Sequence, residues 1–286
     1  MAKENYISLR GQLRAEPKFQ YDEKGKPIMA FFPLLVIRRN IWDRAGNLSI
    51  KWDRPIISTA DQNIIKEIQK AKVHDIIEVK GTFRTQHSQR TQICPHCGEK
   101  NIIETAIQTI NPIYVGIVDD RMKNDTDGQN YLIHCAEIAN IAKVIGRVCT
   151  NTEDIYFGET EQGELYGRYQ LAVNRKLYIR DSEDEEDHAD FPVIYSYGDI
   201  AKEDQQILKQ NTLVYLDGYI HTMIYEQPVE CSHCGEEFKY KSQKMNLTPY
   251  SMEYLRDFDE LLESTHGSKK DIQDATPEEV PDMDKE

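Results

Sequence analysis

The 286-residue sequence predicts a mainly β protein built of two successive five-stranded barrels, each with one helix. Three observations lead there. Two cysteine knuckles, Cys94-Pro95-His96-Cys97-Gly98-Glu99 and Cys231-Ser232-His233-Cys234-Gly235-Glu236, stand 137 residues apart. The same step carries Val36 onto Val173, Arg38 onto Arg175, Pro55 onto Pro192, Gly81 onto Gly218 and Pro112 onto Pro249, so a whole unit repeats and the chain reads as an internal duplication. Within each unit, short runs with period-two alternation outnumber helical ones.

The first strand of unit one is Tyr6 to Leu13, alternating up to Gly11, where a bulge or tight bend is expected. Its counterpart is Ile141 to Val148, with Gly146. A hairpin turn around Gly25, matched by Gly163, leads to the second strand, Ala30 to Arg39, with Phe32, Leu34 and Val36 opposite Tyr169, Leu171 and Val173 of Arg168 to Lys176. The third strand contains Pro55 to Ser58, matched by Pro192 to Tyr195. One helix follows, Gln62 to Lys72 with Ile64, Ile65 and Ile68 on one face, matched by Ile200 to Gln210. The fourth strand, Asp75 to Phe83 or Thr212 to Ile220, returns through a long hairpin as a fifth. Strand, strand, strand, helix, strand, strand is the order of the OB-fold, a partly open barrel that binds oligonucleotides and oligosaccharides. The expected divisions are 1–118 for the first OB-fold with its knuckle and 119–136 for a polar linker. The second OB-fold with its knuckle takes 137–256, and 257–286 hold a short helix around Phe258, Leu261 and Leu262 and an acidic disordered tail.

The formal net charge of −14 is unevenly placed. Residues 1–118 carry +6, residues 119–256 carry −12 and residues 257–286 carry −8, and the run Asp181 to Asp190 holds seven acids. A basic working surface with acidic appendages follows. No apolar run is long enough to span a membrane, and Met1-Ala2-Lys3-Glu4-Asn5 lacks a signal peptide's apolar stretch, so a cytoplasmic location is expected. In that compartment CxxC pairs point to metal or redox chemistry rather than to disulfides. Cys135 and Cys149 have no counterparts and read as ordinary thiols.

The sequence resembles the bacterial single-stranded DNA-binding protein family. The resemblance rests on Asn5 to Leu13 with Pro17 and Tyr21, on Trp52-Asp53-Arg54-Pro55-Ile56-Ile57, and on Ile77 to Thr85. In the second unit it rests on Ile145 to Val148, Leu171 to Arg175, Tyr197 to Ala201 and Tyr215 to Tyr219. Two barrels, the knuckles, and an ending Pro281 to Glu286 in place of an apolar tip are departures from the family pattern. The resemblance implies a non-enzymatic protein that coats and protects single-stranded DNA, largely without sequence preference, in replication or recombination of a bacterium or mobile element. The alternative is a replication or recombination adaptor that mainly binds proteins, with its acidic tail engaging replication proteins. Two OB-folds per chain are compatible with a chain that acts alone or as a homo-oligomer.

Single-strand binding needs cations for phosphates and aromatic faces for bases. The resemblance places Trp52 and Trp42 as stacking residues, surrounded by Arg38, Arg39, Arg44, Lys51, Arg54 and Arg84. The competing reading makes Trp52 core and the arginines a solvated face. The second unit keeps Arg175, Lys176 and Arg180, loses both tryptophans, and offers Tyr178, Tyr195, Tyr197 and Tyr225, each of which is equally well a core residue. Because its acidic run occupies the loop equivalent to that of Trp42, weaker binding or a different edge is expected there.

Cys94, Cys97, Cys231 and Cys234 are the expected metal ligands. One CxxC pair cannot close a tetrahedral site, so the two hairpin tips are expected to join around one structural zinc ion per chain, with pairing between chains as the variant. Dithiol oxidoreductase chemistry is the enzymatic competitor. It requires CxxC at the start of a helix, whereas the flanks here read as strands. No phosphate-binding glycine loop, HExxH helix or nucleophile elbow is present.

Overall fold

A computed structural model describes residues 4–39, 46–175 and 189–255. Trp42, Arg44, Lys176, Tyr178, Arg180, most of the acidic run, and the helix and tail expected after Leu255 lie outside the described residues.

The first half contains β1 (Asn5–Leu13), β2 (Lys18–Tyr21), β3 (Pro27–Ile37), β4 (Trp52–Asp53), β5 (Ile56–Thr59), α1 (Gln62–Ile68), β6 (Ile76–Ile93) and β7 (Lys100–Asp119). After α2 (Asp125–His134) and α3 (Ala136–Ala139), the second half repeats the order. It contains β8 (Asn140–Val148), β9 (Tyr156–Glu159), β10 (Leu165–Asn174), β11 (Ala189–Asp190), β12 (Val193–Tyr197), α4 (Gly198–Ile207), β13 (Leu213–Glu230) and β14 (Glu237–Leu255).

Each half closes on itself as an OB-fold. β1 pairs antiparallel with both β3 and β6, β3 with β5, and β5 runs parallel to β7 at Ile57↔Ile110. In the second barrel β8 pairs with β10 and β13, β10 with β12, and β12 runs parallel to β14 at Ile194↔Leu247. Alternation along β3 sends Phe32, Leu34 and Val36 into the core, as Tyr169, Leu171 and Val173 are sent in by β10. Gly11 makes no bulge. It sits where β1 changes partner, and a Cβ there would lie 2.8 Å from the Leu35 carbonyl oxygen, so the strands approach too closely for any side chain.

α1 starts on Asp61, whose carboxylate accepts from the Asn63 and Ile64 amides at 2.7 and 3.2 Å, a cap worth about 1 kcal/mol. Ile64, Ile65 and Ile68 are buried, as the periodicity predicts. The helix stops short of Lys72 because the Asp75 carboxylate takes the Lys72 amide at 2.8 Å and turns the chain into β6.

The barrels join through β1 and β8, which pair antiparallel around Ile7↔Ala142 to make one continuous sheet. Each strand covers the other's open edge, which leaves neither as a template for aggregation. Buried asparagines lock both sides. Asn5 donates to the Phe83 carbonyl and accepts from its amide at 3.0 and 2.9 Å, and Asn140 makes the same pair with Ile220 at 2.9 Å each.

The segment expected as a polar linker folds as α2 and α3 against the first barrel. Leu132, Ala136 and Ala139 are buried with Ile37 and Ile76. Gly128 lies directly on the Gln12 side chain, whose amide donates to the Asn124 carbonyl at 3.0 Å. Its polar composition concealed a narrow apolar face. No helix among the described residues is long and apolar enough to cross a membrane.

Candidate nucleic-acid interface and metal centre

Several residues expected to meet phosphate are committed to carboxylates inside the protein. Arg38 Nε and Nη2 donate to Asp53 at 2.7 and 3.1 Å, and Arg175 makes the same fork to Asp190 at 3.1 and 3.0 Å. Asp53 and Asp190 are buried, and Arg175 is 7% exposed. Each carboxylate then crosses to the other barrel, Asp53 accepting the Thr222 amide at 2.7 Å and Asp190 the Thr85 amide at 2.9 Å. The return contacts match, from the Arg54 amide to Thr222 Oγ1 at 2.8 Å and from the Phe191 amide to Thr85 Oγ1 at 3.1 Å. Arg38 and Arg175 are therefore members of a reciprocal lock between barrel and hairpin arm. Burial opposes ionisation of Asp53, but hydrogen bonds from His221 and Arg38 hold its carboxyl below the usual range.

Trp52 is half-buried and packs with Ile50, Met122 and Tyr131 against the cluster under α2. Part of its ring is thus engaged with the cluster under the α2 segment, on the strand face opposite the buried Asp53. Trp52→Ala is expected to cost about 3 kcal/mol or somewhat more by urea titration, near the lower end for a core aromatic. Arg39 is exposed but bonded to Glu137 at 2.8 Å, with its guanidinium 5.6 Å from the Tyr250 ring. Lys51 and Arg54 are exposed, and Arg84 is half-buried close to Asp190. Tyr225 is half-buried, donates to Gln227 at 3.1 Å, and carries the Lys244 ammonium 4.3 Å above its ring.

The second barrel presents a group of aromatic rings of which the sequence reading named Tyr195 and Tyr197 and missed Tyr156 and Tyr166. Tyr156, Tyr166 and Tyr195 form a ladder with centroids 5.7 and 6.4 Å apart, and Tyr197 joins Tyr166 at 6.2 Å. Tyr156 is 52% exposed, and Arg168 is exposed among the rings. Tyr195 and Tyr197 were legible as an alternating pair, but Tyr156 and Tyr166 are brought to them only by pairing of β9, β10 and β12.

The four knuckle cysteines meet at the tips of the two arms. Their sulfurs lie within 4.8 Å of one another, and two close separations cross between arms, 3.8 Å for Cys94–Cys234 and 3.6 Å for Cys97–Cys231. Tetrahedral zinc with bonds of about 2.3 Å needs sulfur separations of about 3.8 Å, so the set fits a metal ion. Both knuckles close alike. Gly98 and Gly235 adopt φ of 77° and 74°, and their amides return to the Cys94 and Cys231 carbonyls at 2.9 Å. The Cys234 and His233 amides pull the Cys231 thiol down to about 6, aided by the Asn101 side chain. Asn101 also accepts from the Ser232 amide at 2.9 Å, a second tie between arms. Phe238 and Val229 pack beside Cys94 and Cys231. Neither CxxC pair opens a helix, the placement dithiol catalysis requires.

Residues 139–240 match the model of the single-strand binding protein family. The match falls within the second repeat unit of the chain. It spans the second OB-fold from β8 to the start of β14, and so contains the tyrosine ladder. Among solved structures the chain is similar to the wild-type single-stranded DNA binding protein from Thermus aquaticus, with TM-score 0.57 and 14% identity over 90% of this chain and 95% of that one. A deletion mutant of the same protein gives TM-score 0.57 and 15% identity over 89% and 96%. At such identity the likeness is one of fold, and it extends across both barrels. No curated protein matches.

Proposed function

We propose that the protein binds and protects single-stranded DNA through two tandem OB-folds, as a binding protein rather than an enzyme. The observation that carries this reading is the family match on residues 139–240, within a barrel whose outer face bears clustered aromatic rings. In this reading residues 1–118 and 137–256 arose by internal duplication, and the protein works in the cytoplasm in replication or recombination. The acidic tail engages replication proteins, and the chain acts alone or as a homo-oligomer.

Cys94, Cys97, Cys231 and Cys234 would hold one structural zinc ion within each chain. That assignment is supported by sulfur separations of 3.6 to 3.8 Å between arms of one chain. The metal would supply a fixed joint, so the two arms keep one spacing while the barrels are already joined at β1 and β8.

Titration of the full chain with labelled oligo-dT tests the reading. Saturable binding that weakens as salt rises is expected, because neutralised phosphates release counterions. Absence of binding at low salt overturns it.

A further inference from the structure

Pairing of β1 with β8 covers the edges along which the barrels meet, and β4 and β11 each meet the opposite barrel's arm through Thr222 and Thr85. Among the described residues this leaves β2, paired with β3 alone, and β9, paired with β10 alone. They occupy equivalent places in the repeat, and Tyr21 and Tyr156 on them are 58% and 52% exposed. Such an edge offers a row of backbone amides and carbonyls to a further strand. The two edges differ in charge. Residues 149–167 around β9 hold five acids, Glu153, Asp154, Glu159, Glu161 and Glu164, and no Lys or Arg. The hairpin of β2 sets Lys18 on the strand and Lys24 and Lys26 at the tip. Among its acids Asp22 is held within the turn, where it accepts the Lys24 and Lys26 amides at 2.9 and 2.8 Å, and Glu16 and Glu23 lie outside it.

We infer that β2 of one chain pairs antiparallel with β9 of a second copy, Lys18 standing opposite Glu159 and Tyr21 opposite Tyr156. The same alignment brings the Lys24 and Lys26 tip alongside Glu153 and Asp154. Three lysines, against Glu16 and Glu23, then meet five acids. Pairing of β9 with another β9 would instead set acids on acids, so charge selects the unlike edge. Backbone hydrogen bonds along the joined strands supply the affinity, as in other strand additions. The chain already uses this mode internally, since β1 and β8 are equivalent strands of the repeat and pair antiparallel. Because every chain carries both edges, the contact is heterologous and repeats from copy to copy, as an open row or a closed ring. It goes beyond the proposed function and needs no nucleic acid.

Sedimentation equilibrium of the full-length protein without nucleic acid tests the contact. The average mass is expected to rise above one chain with concentration and to fall back as salt rises, because exposed ion pairs are screened. Lys18→Glu and Glu159→Lys, both at exposed positions and each checked for an unchanged thermal melt, should weaken association about 5-fold or more, since like charges then stand opposite. Mixed in equal amounts, the two variants should associate more tightly than either alone, because each supplies the edge the other needs. Lys18→Glu/Glu159→Lys should recover the wild-type affinity. Amide exchange should slow on association along Lys18–Tyr21 and Tyr156–Glu159. A mass of one chain at every concentration overturns the contact and leaves single-strand binding standing. Association unchanged in both single variants, a double variant that stays weak, or protection confined to other strands overturns the pairing of these two edges. Association without binding of oligo-dT supports the contact and overturns the proposed function alone.

Discussion

Cys94→Ser is expected to abolish binding of one zinc ion per chain and to release the two hairpin arms from each other. Elemental analysis of purified protein should fall from one zinc per chain to none, and amide exchange should accelerate at the tips, from Thr91 to Asn101 and from Val229 to Phe238. The stability lost should be well below the about 10–16 kcal/mol of zinc-finger peptides, because those fold only with metal whereas each barrel here has its own core. Cys231→Ser, buried as Cys94 is, should behave alike, since three sulfurs cannot close a tetrahedral structural site. His96→Ala, at a tip position outside the sulfur set, should leave the zinc content unchanged. A full equivalent of zinc retained by Cys94→Ser would falsify the site.

Asp53→Asn is expected to destabilise the chain by about 3–5 kcal/mol, the usual cost of stripping one partner from a buried ion pair. The charge on Arg38 would remain, with its side chain only 16% exposed, while the hydrogen bond to Thr222 weakens. Urea titration measures the loss, and Asp190→Asn should cost less, because burial there pushes the carboxyl above its usual range despite the fork from Arg175 and the Thr85 amide. Replacing both Arg38 and Asp53 by apolar residues should recover much of the deficit, since no charge is then buried unpaired. A pH dependence follows. The Asp53 carboxyl is held below its unfolded value of about 3.9, so its contribution is complete above that pH and is lost as pH falls through the lower folded value. The wild type should therefore lose its advantage over Asp53→Asn on acidification below about pH 4. An advantage constant down to pH 2 would contradict the assignment.

The roles of Arg38 and Arg175 show where one-dimensional reading stops. Arginine near tryptophan suggests phosphate, and only the paired strands reveal a carboxylate fifteen residues later at bonding distance. Trp52 is a similar case. Its neighbours Lys51 and Asp53 suggest exposure, yet it is half-buried against the cluster under the α2 segment, whose polar composition gave no sign of a packed helix. The tyrosine ladder was half visible, because Tyr195 and Tyr197 alternate on one strand whereas Tyr156 and Tyr166 belong to two others.

The knuckles were legible because CxxCG is a local motif whose spacing carries its own chemistry, and the 137-residue step made them two halves of one site. Strand order, barrel type and the apolar face of α1 followed from period and repeat in the same way, since hydrophobic alternation is set residue by residue along the chain. The meeting of the hairpin tips was expected from those knuckles, whereas tertiary structure alone decided that β1 and β8 join the barrels and which charged and aromatic side chains face solvent. Those outcomes depend on pairing between separate segments, near in sequence for Arg38 and Asp53 and far for β1 and β8, and the same arginine or tyrosine serves core, lock or surface according to the partner that pairing delivers.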